Sequence, residues 1–138
     1  MKKKYITWEQ FDMAIDAMEK QYNEYHILSS CQAVFGLPRG GLTIAVALSH
    51  RLNLPLLMNY YDRKATFNNK ILVVDDIADS GNSLKPFDNN QNVIFTLHHR
   101  EQSIVIPDFW LWDSKDYWIV YPWERRDSET LQDYLNKV

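Results

Sequence analysis

The run Ile71-Leu72-Val73-Val74, ending in Asp75-Asp76, constrains this chain more than any other feature. Four consecutive apolar residues show neither the alternation of a half-buried strand nor the spacing of a surface helix. They predict a strand buried on both faces, which belongs centrally in a parallel sheet. Such a strand delivers its two carboxylates to its carboxyl end, the rim at which open α/β sheets bind ligands. Just beyond lies a polar turn, Asp79-Ser80-Gly81-Asn82-Ser83. Backbone N–H groups and hydroxyls in a turn of this kind suit a phosphate. A carboxylate pair beside a phosphate cradle fits a ligand with hydroxyls, phosphate and magnesium, which prefers oxygen donors. From the residues alone three other readings stay open: acids that cap a strand end, the acidic pocket of a phosphoacceptor domain, and a metal site without phosphate. The turn is not a P-loop, because the Gly-x4-Gly-Lys-Ser/Thr spacing is absent, and its single glycine makes no dinucleotide fingerprint.

The flanking segments read as an α/β chain. Thr7 and Gln10 match a capping box. Trp8, Phe11, Ile15, Met18 and Tyr22 then form one helical stripe, either a packing face or a face for a partner. Ala33-Val34-Phe35 predicts a strand, Gly36-Leu37-Pro38-Arg39-Gly40-Gly41 a tight loop, and residues 42–52 a helix. Residues 54–58 and 93–97 predict two more strands, and strand, glycine turn, helix, strand is the α/β pattern. Tyr60 to Asn69 reads as a polar, mobile segment. Residues 104–124 hold four of the five tryptophans and predict short strands and loops in a small lobe beside the sheet. Ser128 to Lys137 is amphipathic.

A chain of 138 residues predicts one domain, residues 1–138, that folds without a metal or disulfide staple. Cys31 is the only cysteine, so an intrachain disulfide is excluded, and its apolar neighbours predict a buried thiol. Residues 1–70 carry nine basic and six acidic side chains, residues 71–138 six and twelve. The net charge of −3 argues against a nonspecific nucleic-acid coat. Trp8-Glu9-Gln10 and Asp12 stand where the apolar core of a leader would lie, and no 18-residue apolar run exists. The expectation is a soluble cytoplasmic protein with no membrane contact.

Residues 71–84 resemble the ribose-phosphate motif of type I phosphoribosyltransferases: an apolar run, two acids, and a Ser/Thr-Gly-x-Ser/Thr turn. Gly36 to Gly41 resembles that family's pyrophosphate loop, which often holds a non-proline cis peptide, here Pro38–Arg39. Without the resemblance, Arg39-Gly40-Gly41 reads equally as an ordinary βα turn. Asp116 to Glu124 resembles the Trp-Ile-x-x-Pro-Trp-Asp/Glu segment of small bacterial xanthine-guanine phosphoribosyltransferases, where an aromatic hood covers the purine. Read alone, Trp118, Tyr121 and Trp123 are equally hydrophobic core.

The resemblance implies a type I phosphoribosyltransferase-like α/β fold: a central, mostly parallel sheet flanked by helices, with residues 104–125 as the base-binding hood. It implies transfer of the 5-phosphoribosyl group from 5-phosphoribosyl-1-pyrophosphate to guanine, xanthine or hypoxanthine, with magnesium, in a homodimer or tetramer. Ser80, Gly81, Asn82 and Ser83 would hold the 5′-phosphate; Asp75 and Asp76 the ribose hydroxyls and metal; Arg39, Gly40 and Gly41 the pyrophosphate. Asp79 would be the general acid or base, Trp118 and Ile119 would contact the purine, and Glu124 would sit nearby. Tyr61, Arg63 or Lys64 would close over the transition state.

The chain departs from that pattern at three places. The Lys that meets the purine 6-oxygen is missing; His98-His99-Arg100 follows the last core strand, with His98 or Arg100 as substitutes. Pro86 and Asp88-Asn89-Asn90 cut short the helix after the turn, and the segment before the acidic motif is short. Three alternatives follow: a nucleotide-sensing or RNA-binding regulator on the same scaffold, a pyrimidine phosphoribosyltransferase, and a partner-binding α/β domain.

Overall fold

The capping box at Thr7 forms as its residues dictate. In the computed structural model, which describes residues 1–24, 31–62 and 70–127, the Gln10 N–H donates to Thr7 Oγ1 at 3.0 Å, and the Thr7 N–H donates to Gln10 Oε1 at 2.9 Å. Two otherwise unpaired donors are satisfied, and α1 (Trp8–Glu24) starts there. Phe11, Ile15, Met18 and Tyr22 of its stripe are buried, whereas Trp8 is 52 % exposed. The helix packs on α2 (Gly40–Leu52) and on β6 (Phe109–Asp113), so the stripe is a packing face within the chain.

β2 (Cys31–Gly36), β3 (Leu56–Leu57), β4 (Lys70–Ala78), β5 (Asn92–His99) and β6 form a parallel sheet in the order β3-β2-β4-β5-β6. β4 is central, with Val73 opposite Phe35 on one side and Ile94 on the other. Ile71, Leu72, Val73 and Val74 are all 0 % exposed, as four apolar residues in a row require. Leu72 and Val74 pack with Ile44, Ala45 and Leu48 of α2 and with Ile15 and Met18 of α1. Ile71 and Val73 pack on the opposite face with Phe35, Leu84, Ile94 and Val105. That second face is closed by loop residues and by 3₁₀ turns at Tyr60–Asp62 and Lys85–Phe87. Pro86 sits in the second turn, the stunted remainder of a helix that the sequence leads one to expect.

Several boundaries differ from the sequence reading. α2 begins two residues early, at Gly40, because the Gly41 N–H already donates to Leu37 O at 2.8 Å. The strand expected over residues 54–58 shrinks to β3, two residues long. β4 runs on through the acids: Asp75 pairs with Thr96, Ile77 with His98 and Ala78 with His99, because β5 extends equally far. The aromatic segment 104–124 is divided rather than a lobe of its own. β6 joins the main sheet, Phe109 pairing with Phe95 and packing on it at 5.2 Å. β7 (Trp118–Val120) leaves that sheet and pairs in parallel with β1 (Lys3–Tyr5), Trp118 opposite Lys3. The amino terminus thus pairs with the segment expected to form the hood.

Arg63, Lys64 and the stretch Ser128 to Lys137 lie outside the described residues, as does most of the segment from Tyr60 to Asn69; Tyr61 is exposed. No helix among the described residues is long and apolar enough to cross a membrane. Cys31 is buried, and burial pushes its thiol up to about 12, which leaves it protonated and a poor nucleophile.

Candidate active site

The glycine loop and the acidic strand meet at the carboxyl edge of the sheet. β2 ends at Gly36, the Leu37 N–H donates to Val74 O at 3.0 Å, and the Pro38–Arg39 peptide is cis, as the resemblance implies. A Cβ on Gly40 would run into the Asp76 carboxylate. One on Gly41 would run into Val74 O and approach Asp75 Cα to 3.2 Å. Only glycine permits this approach of loop to strand. The amino end of α2 therefore lies beside Asp76, and the helix dipole favours negative charge there. Arg39, just before it, is exposed.

Both carboxylates are half-buried and fold back on the strand. Asp75 Oδ1 accepts the Asp76 N–H at 2.9 Å, and Asp76 Oδ1 accepts the Ile77 N–H at 2.8 Å. No group of three or more metal-ligating side chains clusters among the described residues. Two hard oxygen donors on one strand still fit magnesium, which keeps several waters and takes its other ligands from substrate phosphates.

The turn beyond β4 is locked from below. Ser80 O accepts the Ile104 N–H at 2.9 Å, and Gly81 O accepts those of Leu84 and Lys85 at 3.2 and 3.0 Å. Gly81 has φ +86, and a Cβ there would lie 2.7 Å from both Ser103 Oγ and Val105 N. Glycine is required twice over, by conformation and by space. Asn82 and Ser83 are left exposed, while the Asn82 N–H donates to Ser80 Oγ at 3.2 Å.

Asp79 opens this turn. Its Oδ1 lies 2.8 Å from Arg100 Nε, an ion pair whose alignment falls short of a hydrogen bond, and 3.4 Å from Gln102 Nε2. Arg100 is 5 % exposed and donates through Nη1 to Lys115 O at 2.6 Å and through Nη2 to Tyr117 O at 3.0 Å. His98 is equally committed. Its Nδ1 lies 2.8 Å from Tyr121 Oη, which lies 3.0 Å from Asp76 O. A carbonyl only accepts, so the Tyr121 hydroxyl donates to Asp76 O, and His98 Nδ1–H donates to the hydroxyl. Burial, with Lys4 and Arg100 nearby, lowers His98 to about 4, so the ring is neutral at pH 7. Neither residue expected to replace the missing Lys has its side chain available for a base.

The residues expected in the hood have different surroundings. Ile119 is 5 % exposed and belongs to the main core. Trp118 is half-buried, and its Nε1 is buried without a hydrogen-bond partner. Glu124 Oε1 accepts the Tyr121 N–H at 2.9 Å, closing the Pro122-Trp123 turn. Burial raises its pKa, with Asp76 adding to the rise and Arg39 opposing it, so the hood, the acidic strand and the glycine loop share one electrostatic neighbourhood. Trp123 stacks on Tyr121 at 5.1 Å and meets Phe11 edge-on at 5.6 Å.

The roles of two residues escaped the sequence reading. Tyr121 ties the hood to β4 and β5 through one hydroxyl. His99 pairs with Ala78, stacks on Trp110 at 4.7 Å, and has Nε2 buried without a hydrogen-bond partner. Its only sequence signal is its place between His98 and Arg100.

No protein-family model matches the chain, and no curated protein matches it. Several solved structures are similar to it, among them the following three. A purine phosphoribosyltransferase from Pyrococcus horikoshii is 28% identical, with a TM-score of 0.77 over 94% of this chain and 99% of that one. A xanthine-guanine-hypoxanthine phosphoribosyltransferase from Helicobacter pylori is 25% identical, with a TM-score of 0.70 over 87% and 92%. A hypothetical protein from Neisseria gonorrhoeae with bound ppGpp shares the fold at 21% identity, with a TM-score of 0.65 over 92% of each chain.

Proposed function

We propose that this chain, which has the type I phosphoribosyltransferase fold and is similar to purine members of that family, moves the 5-phosphoribosyl group of 5-phosphoribosyl-1-pyrophosphate onto a 6-oxopurine: guanine, xanthine or hypoxanthine. The observation that carries this reading is the contact of Gly40 and Gly41 with Asp76, Val74 and Asp75. It makes one site of the glycine loop and the acidic strand, with the phosphate turn one residue past the end of that strand.

The turn from Ser80 to Ser83 holds the 5′-phosphate through backbone N–H groups and hydroxyls. Asp75 and Asp76 hold the ribose hydroxyls, and their negative charge favours the oxocarbenium character that develops at C1′. Arg39 and the amino end of α2 hold the pyrophosphate. Magnesium, held by Asp75 and Asp76, would offset the charge of the departing pyrophosphate when bound. The C1′–O bond breaks with its electron pair going to pyrophosphate, and a purine ring nitrogen supplies the pair for the new C1′–N bond. The proton of that nitrogen passes to Asp79, at the mouth of the turn. Trp118 covers the base.

Incubation with magnesium, 5-phosphoribosyl-1-pyrophosphate and each of guanine, xanthine, hypoxanthine, adenine, uracil and orotate tests this, with nucleotide read by chromatography and mass. A 6-oxopurine nucleotide that disappears in Asp79→Ala is the expected result. A uracil or orotate product would replace the purine reading by a pyrimidine one. Saturable nucleotide binding with no product would favour a regulator.

A further inference from the structure

Arg100 lies outside the residues to which the transfer reaction assigns a task. A guanidinium taken out of water is destabilising unless its donors are paired, and its planar fork makes it a rigid spacer when they are. Here Nη1 and Nη2 are fixed on Lys115 O and Tyr117 O, the carbonyls just before the hood strand β7. Two fixed arms set the plane of the fork, and Nε then lies 2.8 Å from Asp79 Oδ1 as an ion pair rather than an aligned hydrogen bond. The Arg100 N–H donates to Ala78 O at 2.9 Å, which ties its main chain to the residue before Asp79. Arg100 therefore links the end of β4, the end of β5 and the loop that leads into Trp118.

We propose that Arg100 is a positioning residue: it holds the Asp79 carboxylate in the orientation needed for proton transfer and couples that orientation to the seating of the hood. This rests on the transferase reading above. Arg100 does not read the base; it acts through Asp79.

Arg100→Lys keeps the charge and removes the fork, since one ammonium cannot reach both carbonyls and the carboxylate with fixed direction. Its Kd for magnesium 5-phosphoribosyl-1-pyrophosphate is expected within about twofold of wild type, because residues 39–41 and 80–83 are untouched. Its kcat is expected to fall about 100-fold, the scale of a misplaced acid–base group. In Asp79→Asn the further change Arg100→Lys should remove almost nothing more, because the two residues act as a unit. A melting temperature that falls while kcat stays at the wild-type value, or losses that multiply in the double variant, would overturn the proposal. A measurement that needs no Arg100 variant is the ¹⁵N resonance of Arg100 Nε–H, which should move on Asp79→Asn; an unmoved resonance also overturns it. Wild-type protein that forms no nucleotide with any base overturns the transferase reading and this inference together. Turnover by wild type with an equally active Arg100→Lys overturns this inference alone.

Discussion

Lowering the pH from 7 to 4 works against a buried imidazole that the fold keeps neutral. His98 has its folded pKa lowered from 6.5 to about 4, first by burial and then by Lys4 and Arg100. Trp112 packs on the ring at 5.1 Å, and Tyr121 accepts its Nδ1–H. Above pH 6.5 the imidazole is neutral in both folded and unfolded chains, and the native network is intact. Between 6.5 and 4 the unfolded chain binds a proton that the native chain refuses, so stability falls by up to about 1.4 kcal/mol per pH unit. The full loss is on the order of 3 kcal/mol, a large share of the 5–15 kcal/mol typical of a domain. Below the folded pKa both forms are charged and the loss stops growing. Urea unfolding of wild type and His98→Gln at pH 7, 6, 5 and 4 isolates this contribution. Glutamine can still donate to Tyr121 but does not titrate. Glu124, whose raised pKa gives the opposite sign, is common to both proteins and cancels in the difference. Wild type should lose about 3 kcal/mol relative to the variant over that range. Parallel stability curves would refute the burial argument.

Other substitutions test the site and its scaffold. Gly40→Ala drives a methyl group into Asp76 and should weaken binding of magnesium 5-phosphoribosyl-1-pyrophosphate by about tenfold or more, at an overpacking penalty of about 1–3 kcal/mol; calorimetry showing unchanged affinity would separate the loop from the site. Tyr121→Phe leaves His98 Nδ1–H and Asp76 O without their shared partner and should destabilise the fold by about 1–3 kcal/mol in urea unfolding. Thr7→Ala removes one side of the capping box and should lower stability by about 1 kcal/mol, with no change in ligand affinity.

What could be read from the sequence was what neighbouring residues decide among themselves. The capping residues and the 3-4 spacing of Phe11, Ile15, Met18 and Tyr22 specify α1, because a helix is closed by contacts within a few residues. Four apolar residues before two acids specify a central strand, and the glycine and hydroxyls of residues 79–83 specify the turn beyond it. Tertiary structure decided the rest. Nothing near Lys3 announces its pairing with Trp118, and nothing in Phe109 to Asp113 separates an edge strand of the main sheet from a strand of the hood. Both choices depend on which distant backbone is left with open hydrogen bonds once the core has closed. The same holds for the basic cluster after β5. In the sequence, His98 and Arg100 are two polar side chains close to a binding edge. Only in the folded chain are they surrounded by Tyr121, Asp79 and the carbonyls of Lys115 and Tyr117, where low exposure commits their side chains to protein partners. Local spacing encodes the kind of element; burial, which is a property of the whole fold, decides whether a polar group serves the ligand or the scaffold.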